Sequence, residues 1–244
     1  MVKSMVKVAN KGLSEVHGQN LRYERKFIFE KTEPEDLIEE VLSNSFGFNE
    51  VFYRRTINNI YYDDNKFSYY HQNVAGDGHR EKCRIRWYGD TFSEINNPTF
   101  EIKKKFGEVG DKISFKLKNH KTSIDQIDIK QFDHLLFEGD TEKNVSVIGK
   151  FQQLVPTLYN TYERRYFLSF CQKFRITIDY NMQFYNPNYN NFSSSNMSIP
   201  YDEVVLELKY NLEHDQESRL ITQQFNTRLS KNSKYVRGVE LVHH

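Results

Sequence analysis

The chain has 244 residues, 38% of them apolar and 15% aromatic, with 16 Tyr and 19 Phe, enough for one large strand-rich domain. Its 34 Lys and Arg against 33 Asp and Glu leave a formal net charge of +1, so bulk charge argues for no nucleic acid, and any polyanion site must come from placement. Two cysteines without a CxxC pair make neither a disulfide scaffold nor a zinc motif, and no run nears the ~20 apolar residues that span a bilayer.

Residues 1–20 read as a flexible leader without the apolar stretch of a signal peptide, and 21–242 as a single domain. LRYERKFIF at 21–29 reads as a strand. A helix follows, with Thr32 as N-cap, Pro34 in the first turn and Glu35 completing a capping box; Leu37, Ile38, Val41 and Leu42 give it an apolar face. Strands are predicted near 56–63, 79–88, 98–106 and 111–119, and helical patterns over 123–138 and 141–155. Two long strands come next, at 157–170 and 173–185. NPNYNNFSSSNMSIP (186–200) reads as a polar loop. VVLELKY (204–210) is a strand, followed by a helix at about 215–229 and a short strand near 234–241. About eight strands in hairpin order predict an α+β fold with a closed or nearly closed antiparallel sheet and helices outside.

Side chains two apart on a strand share a face. Glu24 and Lys26, Glu101 and Lys103, and Glu207 and Lys209 all repeat one E-x-K pattern. Arg84 and Arg86 share a face opposite Cys83, Ile85 and Trp87; Arg175, Thr177 and Asp179 lie opposite Phe174, Ile176, Ile178 and Tyr180; Lys112, Ser114, Lys116 and Lys118 lie opposite Ile113, Phe115 and Leu117. Alternation requires either Arg164 or Arg165 to join them. One such strand is an ordinary amphipathic strand with a wet side. Six or seven, beside amphipathic helices that need the apolar side, put the charged sides toward one another as the polar, basic lumen of a β-tunnel. So many inward cations require a wet cavity filled by an anion, because burying them dry costs several kcal/mol each. Arg and Lys suit phosphate, and carboxylates among them suit a divalent ion that bridges phosphates.

The stretches RYERKF, NIYYDD, CRIRWYGD, FEIKKK, TYERRYF, FRITIDYN, VVLELKY and SKYVRG, spread in order over 22–238, resemble the triphosphate tunnel metalloenzymes. More specifically, they resemble the catalytic domain of the vacuolar transporter chaperone (VTC) polyphosphate polymerases. The resemblance implies a domain that moves the γ-phosphate of ATP, or of another triphosphate, onto growing polyphosphate with Mn²⁺ or Mg²⁺. It implies that Lys26, Arg84, Arg86, Lys103, Arg164, Arg175 and Lys234 grip phosphate and serve catalysis, with Lys209 as a further lumen residue. It favours Arg164 over Arg165 for the inward role. Glu207 becomes the main metal ligand, with Glu24, Glu101 and Asp179 as weaker candidates. A triphosphate hydrolase and a non-catalytic polyphosphate-binding module need nearly the same wall. The sequence shows no counterpart of the phosphate-sensing domain or membrane segment that accompany the fungal proteins, so it reads as cytoplasmic, with room for a separately encoded membrane partner.

The eight histidines show no ligand spacing, and the Gly76–Gly78 turn lacks the Lys-Ser/Thr ending of a P-loop. Strand alternation splits Lys103, Lys104 and Lys105 between two faces, which removes them as a nucleic-acid patch.

Overall fold

The computed structural model describes residues 22–107, 109–116, 121–123, 149–151, 153–187, 198–230 and 232–243. Its strands are β1 (Arg22–Phe29), β2 (Asn49–Asp63), β3 (His79–Tyr88), β4 (Ile95–Asn96), β5 (Thr99–Phe106), β6 (Val109–Lys116), β7 (Lys121–Thr122), β8 (Val155–Leu168), β9 (Arg175–Tyr185), β10 (Ile199–Tyr201) and β11 (Val204–Asn211). Its helices are α1 (Pro34–Leu42), α2 (Ser68–Ala75), α3 (Asp215–Thr222) and α4 (Lys234–His243). The main sheet runs β1-β11-β9-β8-β2-β3-β5-β6 with antiparallel pairs throughout, and β10 adds to β9; β4 and β7 form a separate small ladder.

The fold is α+β, as expected, but the sheet is not closed. Among the described residues no ladder joins β1 to β6. The gap is crossed by side chains instead: Lys103 on β5 donates to Glu24 on β1 at 2.6 Å. The segment after α3 lies beside β1, where Ser230 N donates to the Lys26 carbonyl at 2.8 Å.

Alternation in β3 sets the pattern for the sheet. Cys83, Ile85 and Trp87 are buried in one apolar cluster with Phe100, Ile102, Phe151 and Tyr159, while Arg84 and Arg86 face the other way. A second cluster, of Phe27, Phe167, Ile176, Ile178, Leu206 and Leu208, is covered by Leu37, Ile38 and Val41 of α1 and Ile221 of α3. Leu42, expected on that apolar face, is exposed. The expected capping box is also absent. Pro34 opens α1 and makes Glu33 the cap residue, so Thr32 lies one place too early and donates to the Glu30 carbonyl instead.

The largest departure is at the end of the chain, where the predicted strand near 234–241 is the helix α4. Tyr235, Gly238 and Val239 recur at helical spacing and are buried on Ile57, Leu158, Met182, Phe184 and Val205. Those positions continue the charged side of the sheet, so α4 is not one of the outer helices. A Cβ added at Gly238 would lie 2.7 Å from Phe184 Cδ1 and closer still to Leu158, so only glycine permits this approach. Asp63, fully buried at the end of β2, accepts the backbone N–H groups of Tyr69 and Tyr70 and the Tyr235 hydroxyl, tying α2 and α4 to the sheet.

The helix expected over 215–229 ends at Thr222, and α2 was not anticipated. The leader and the helices expected at 123–138 and 141–155 lie outside the described residues, apart from a last helical turn at 149–151 and the start of β8 at Val155. The 186–200 loop is described only at its two ends.

Candidate anion-binding site

The registers place one set of charged residues side by side. Lys26 pairs with Glu207 and Glu24 with Lys209; Lys209 pairs with Arg175, Asp179 with Arg164, Arg84 with Glu101, and Lys103 with both Lys82 and Lys112. All of these lie on the face opposite the two outer apolar clusters. Arg165 lies on the outer face and forms an ion pair with Glu50, so Arg164 is the inward arginine.

Three carboxylate-centred groups organise the face. Glu101 binds Arg84 through Nε at 2.6 Å and Lys112 at 2.9 Å, with Arg86 at 3.9 Å. Arg86 is aimed by Asn59 Oδ1 at 2.9 Å and by the Tyr162 hydroxyl at 3.3 Å. Asp179, fully buried, accepts Arg164 Nη2 and Lys234 Nζ, each at 2.6 Å. Lys234 Nζ also lies 4.9 Å from the centre of the Tyr162 ring. Glu207, also buried, faces Lys209 at 3.2 Å and Lys26 at 3.7 Å.

The field follows from this arrangement. Burial alone would raise the Asp179 carboxyl, but Arg164 and Lys234 hold it at about 2. Burial opposes ionisation of Glu207 too, and Lys209, Lys26, Lys103 and Arg164 outweigh it, keeping the group well below the carboxylate range. Arg84, Arg86 and Lys112 do the same for Glu101 against its burial. Every one of these carboxylates is therefore an anion and a poor base.

Lys82 is the exception to pairing. Its Nζ donates to Ser233 Oγ at 2.7 Å, and it has no carboxylate partner among the described residues. Burial, and then Lys26, Lys103, Arg80 and Arg84, push its ammonium well below the usual lysine value. Nine cations (Lys26, Lys82, Arg84, Arg86, Lys103, Lys112, Arg164, Lys209 and Lys234) thus share a face with four carboxylates (Glu24, Glu101, Asp179 and Glu207). Within this face the Thr177 hydroxyl, on a buried residue between Arg175 and Asp179, has no hydrogen-bond partner. A buried donor left unpaired beside surplus positive charge suits an anionic, oxygen-rich ligand.

Of the residues predicted from sequence, Lys26, Arg84, Arg86, Lys103, Arg164, Lys209 and Lys234 come together. Arg175 lies opposite Lys209 at the rim of this face, exposed at the start of β9 and without an ion pair among the described residues. Glu24, Glu101, Glu207 and Asp179 do not gather. Each is committed to cations, and no group of three His, Cys, Asp or Glu among the described residues is arranged to cage a metal. Sequence reasoning missed Lys82, Ser233 and Tyr162. Lys82 was visible two places before Arg84 on the same strand face, whereas Ser233 needed the turn into α4.

The family model for the VTC domain matches residues 21–243. The chain belongs to the VTC domain family. A comparison with curated proteins gave no match. Among solved structures, the VTC domain is similar to a Bacillus halodurans protein provisionally named an adenylate cyclase, at 14% identity and a TM-score of 0.51, over 91% of this chain and 98% of that one. A Vibrio parahaemolyticus protein with the same provisional name gives 10% identity and a TM-score of 0.48, over 88% and 96%. A Pyrococcus horikoshii protein gives 12% and 0.48, over 91% and 100%. The Bacillus likeness shows a shared fold for the VTC domain, at an identity too low to carry function.

Proposed function

We propose that the charged face is the wall of a triphosphate-gripping tunnel and that the protein transfers the γ-phosphate of ATP to a growing polyphosphate chain. The observation that carries this reading is the surplus of cations centred on Lys82, opposed in register by Lys103 and left without a carboxylate. A polyphosphate supplies the missing negative charge.

Phosphoryl transfer asks the protein mainly to position the reactants and to neutralise charge. Arg84, Arg86 and Arg164 present planar forks to phosphate oxygens, while Lys26, Lys82, Lys103 and Lys234 act as point charges. Glu101 and Asp179 hold the arginines in place. A terminal oxygen of the acceptor chain, already ionised, attacks the γ-phosphorus; the bond to the β,γ-bridging oxygen breaks, and ADP leaves with that electron pair. No proton need be removed. Glu101, Asp179 and Glu207 are all cation-paired anions of depressed basicity, so none of these carboxylates is a ready base for a water nucleophile.

The carboxylates do not form a protein cage, but Glu207 suits a divalent ion that is coordinated mostly by phosphates and water. Mn²⁺ or Mg²⁺, brought in on the triphosphate, would spread the charge on the β- and γ-oxygens. Incubation with ATP and Mn²⁺ tests the proposal. Long polyphosphate and ADP are the expected products. Orthophosphate as the sole phosphate product would point to a hydrolase, and tight polyphosphate binding without turnover under any divalent ion would point to a binding module.

A further inference from the structure

Beyond Arg164 the charged face changes character. α4 runs along β8 in the other direction, from Lys234 at Asp179 to His243, whose Nε2 meets the Thr157 carbonyl at 2.8 Å. On the side away from it, Arg55 sits opposite Arg164 in the β2–β8 register, and Tyr166 lies two residues beyond Arg164 on the same face. The Arg55 guanidinium is 4.8 Å from the Phe52 ring centre, 5.5 Å from that of Tyr88 and 5.6 Å from that of Tyr166. Arg164 reaches the other side of this group, 6.0 Å from the Tyr166 ring. Arg55 is exposed and forms no ion pair among the described residues, and Phe52 and Tyr88 are half exposed. Next to them, the Tyr166 and Thr177 hydroxyls, opposite each other in register, are both buried without a partner.

We infer that Phe52, Arg55, Tyr88 and Tyr166 form a stacking platform for a nucleobase, so that the donor is a nucleoside triphosphate held without discrimination between purines. The inference rests on the phosphate-gripping reading of the face. Aromatic faces and a guanidinium attract a flat heterocycle through stacking and cation–π contact. Two residues along a strand cover about 6.6 Å, the scale of a ribose. A triphosphate held at Arg164 therefore puts its sugar near Tyr166 and its base over the Phe52 and Tyr88 rings. Arg55 lies against the Phe52, Tyr88 and Tyr166 rings, so the platform takes a purine by its ring face and ATP and GTP are expected to fit alike. The rings would be needless for inorganic triphosphate, which has nothing to stack.

Calorimetric titration of the protein and of the double variant Phe52→Ala/Tyr88→Ala, with ATP, GTP and inorganic triphosphate, decides the matter. Both rings are half exposed, so their removal leaves the core intact, and retained inorganic-triphosphate binding reports a folded variant. The expected result is ATP and GTP affinities within about threefold of each other in the parent protein. In the variant, both should weaken by about tenfold or more while inorganic triphosphate changes by less than about twofold. ATP affinity unchanged in the variant, or equal losses for ATP and inorganic triphosphate, would overturn the platform and leave the phosphate grip standing. A parent protein that binds neither ligand would overturn the grip itself, and the platform with it.

Discussion

Replacing Asp179 by Asn tests how the face holds its own cations. The carboxylate is fully buried and takes Arg164 and Lys234 together. Its pKa is held at about 2 against an ordinary 3.8. That difference corresponds to about 2 kcal/mol of folding stability. Removing one partner from a buried charge cluster typically costs ~3–5 kcal/mol. Asn keeps the shape and one acceptor, so a loss of about 2–4 kcal/mol is expected at pH 7. For a domain of this size that lowers Tm by roughly 5–15 °C. The pH dependence has a definite sign. A depressed carboxyl pKa stabilises the fold above the ordinary value and ceases to do so as pH falls through the depressed one, so the gap between parent and variant is full at pH 5 and narrows below about pH 4. Added inorganic triphosphate should raise the variant's Tm more than the parent's, because the ligand replaces the lost negative charge. Thermal melts over pH 3–7 read all three effects. A variant melting within about 2 °C of the parent at pH 7, or a gap that widens in acid, would refute the reasoning.

Glu207→Gln should stop polyphosphate formation while leaving metal-free triphosphate binding within a few-fold, as read by product analysis beside calorimetry; undiminished turnover would remove Glu207 from the chemistry. Lys82 should make anion binding proton-linked. A bound phosphate favours the ammonium that burial and Lys26, Lys103, Arg80 and Arg84 disfavour, so affinity falls as pH rises, well before the ordinary lysine value; Lys82→Met should weaken binding and flatten that slope. Gly238→Ala forces a methyl group against Leu158 and Phe184 and should cost about 1–3 kcal/mol by denaturant unfolding, with no cost expected if α4 sits elsewhere.

Alternation made the charged face legible because it depends on nothing beyond the period of a strand. Glu24 and Lys26, Arg84 and Arg86, and Glu207 and Lys209 could be assigned a common side before any pairing was known. The same rule was silent between Arg164 and Arg165, and Glu50 on the neighbouring strand settles that choice. It also failed where the strands are irregular. Register shifts lie between Glu50 and Phe52 and between Phe52 and Arg55, so the meeting of Phe52 with Arg55, Tyr88 and Tyr166 could not be read from spacing. The α4 helix was hidden by Gly238, a poor helix former that is retained for its close approach to Leu158 and Phe184. Whether the edges of the sheet meet is a property of the whole curl, which no single strand encodes.

If the charged face lines the proposed tunnel, the unpaired edges of that sheet give the tunnel an adjustable girth. In a closed barrel, register and strand number fix the circumference. Here β5 is tied to β1 by the half-exposed pair of Lys103 and Glu24, and Ser230 lies against β1. Exposed ion pairs of this kind are worth about 1 kcal/mol or less. If Lys103 grips a phosphate, its ammonium shares three donors between that cargo and Glu24, so filling the proposed tunnel weakens the tie between β5 and β1 without breaking a rung of the ladder.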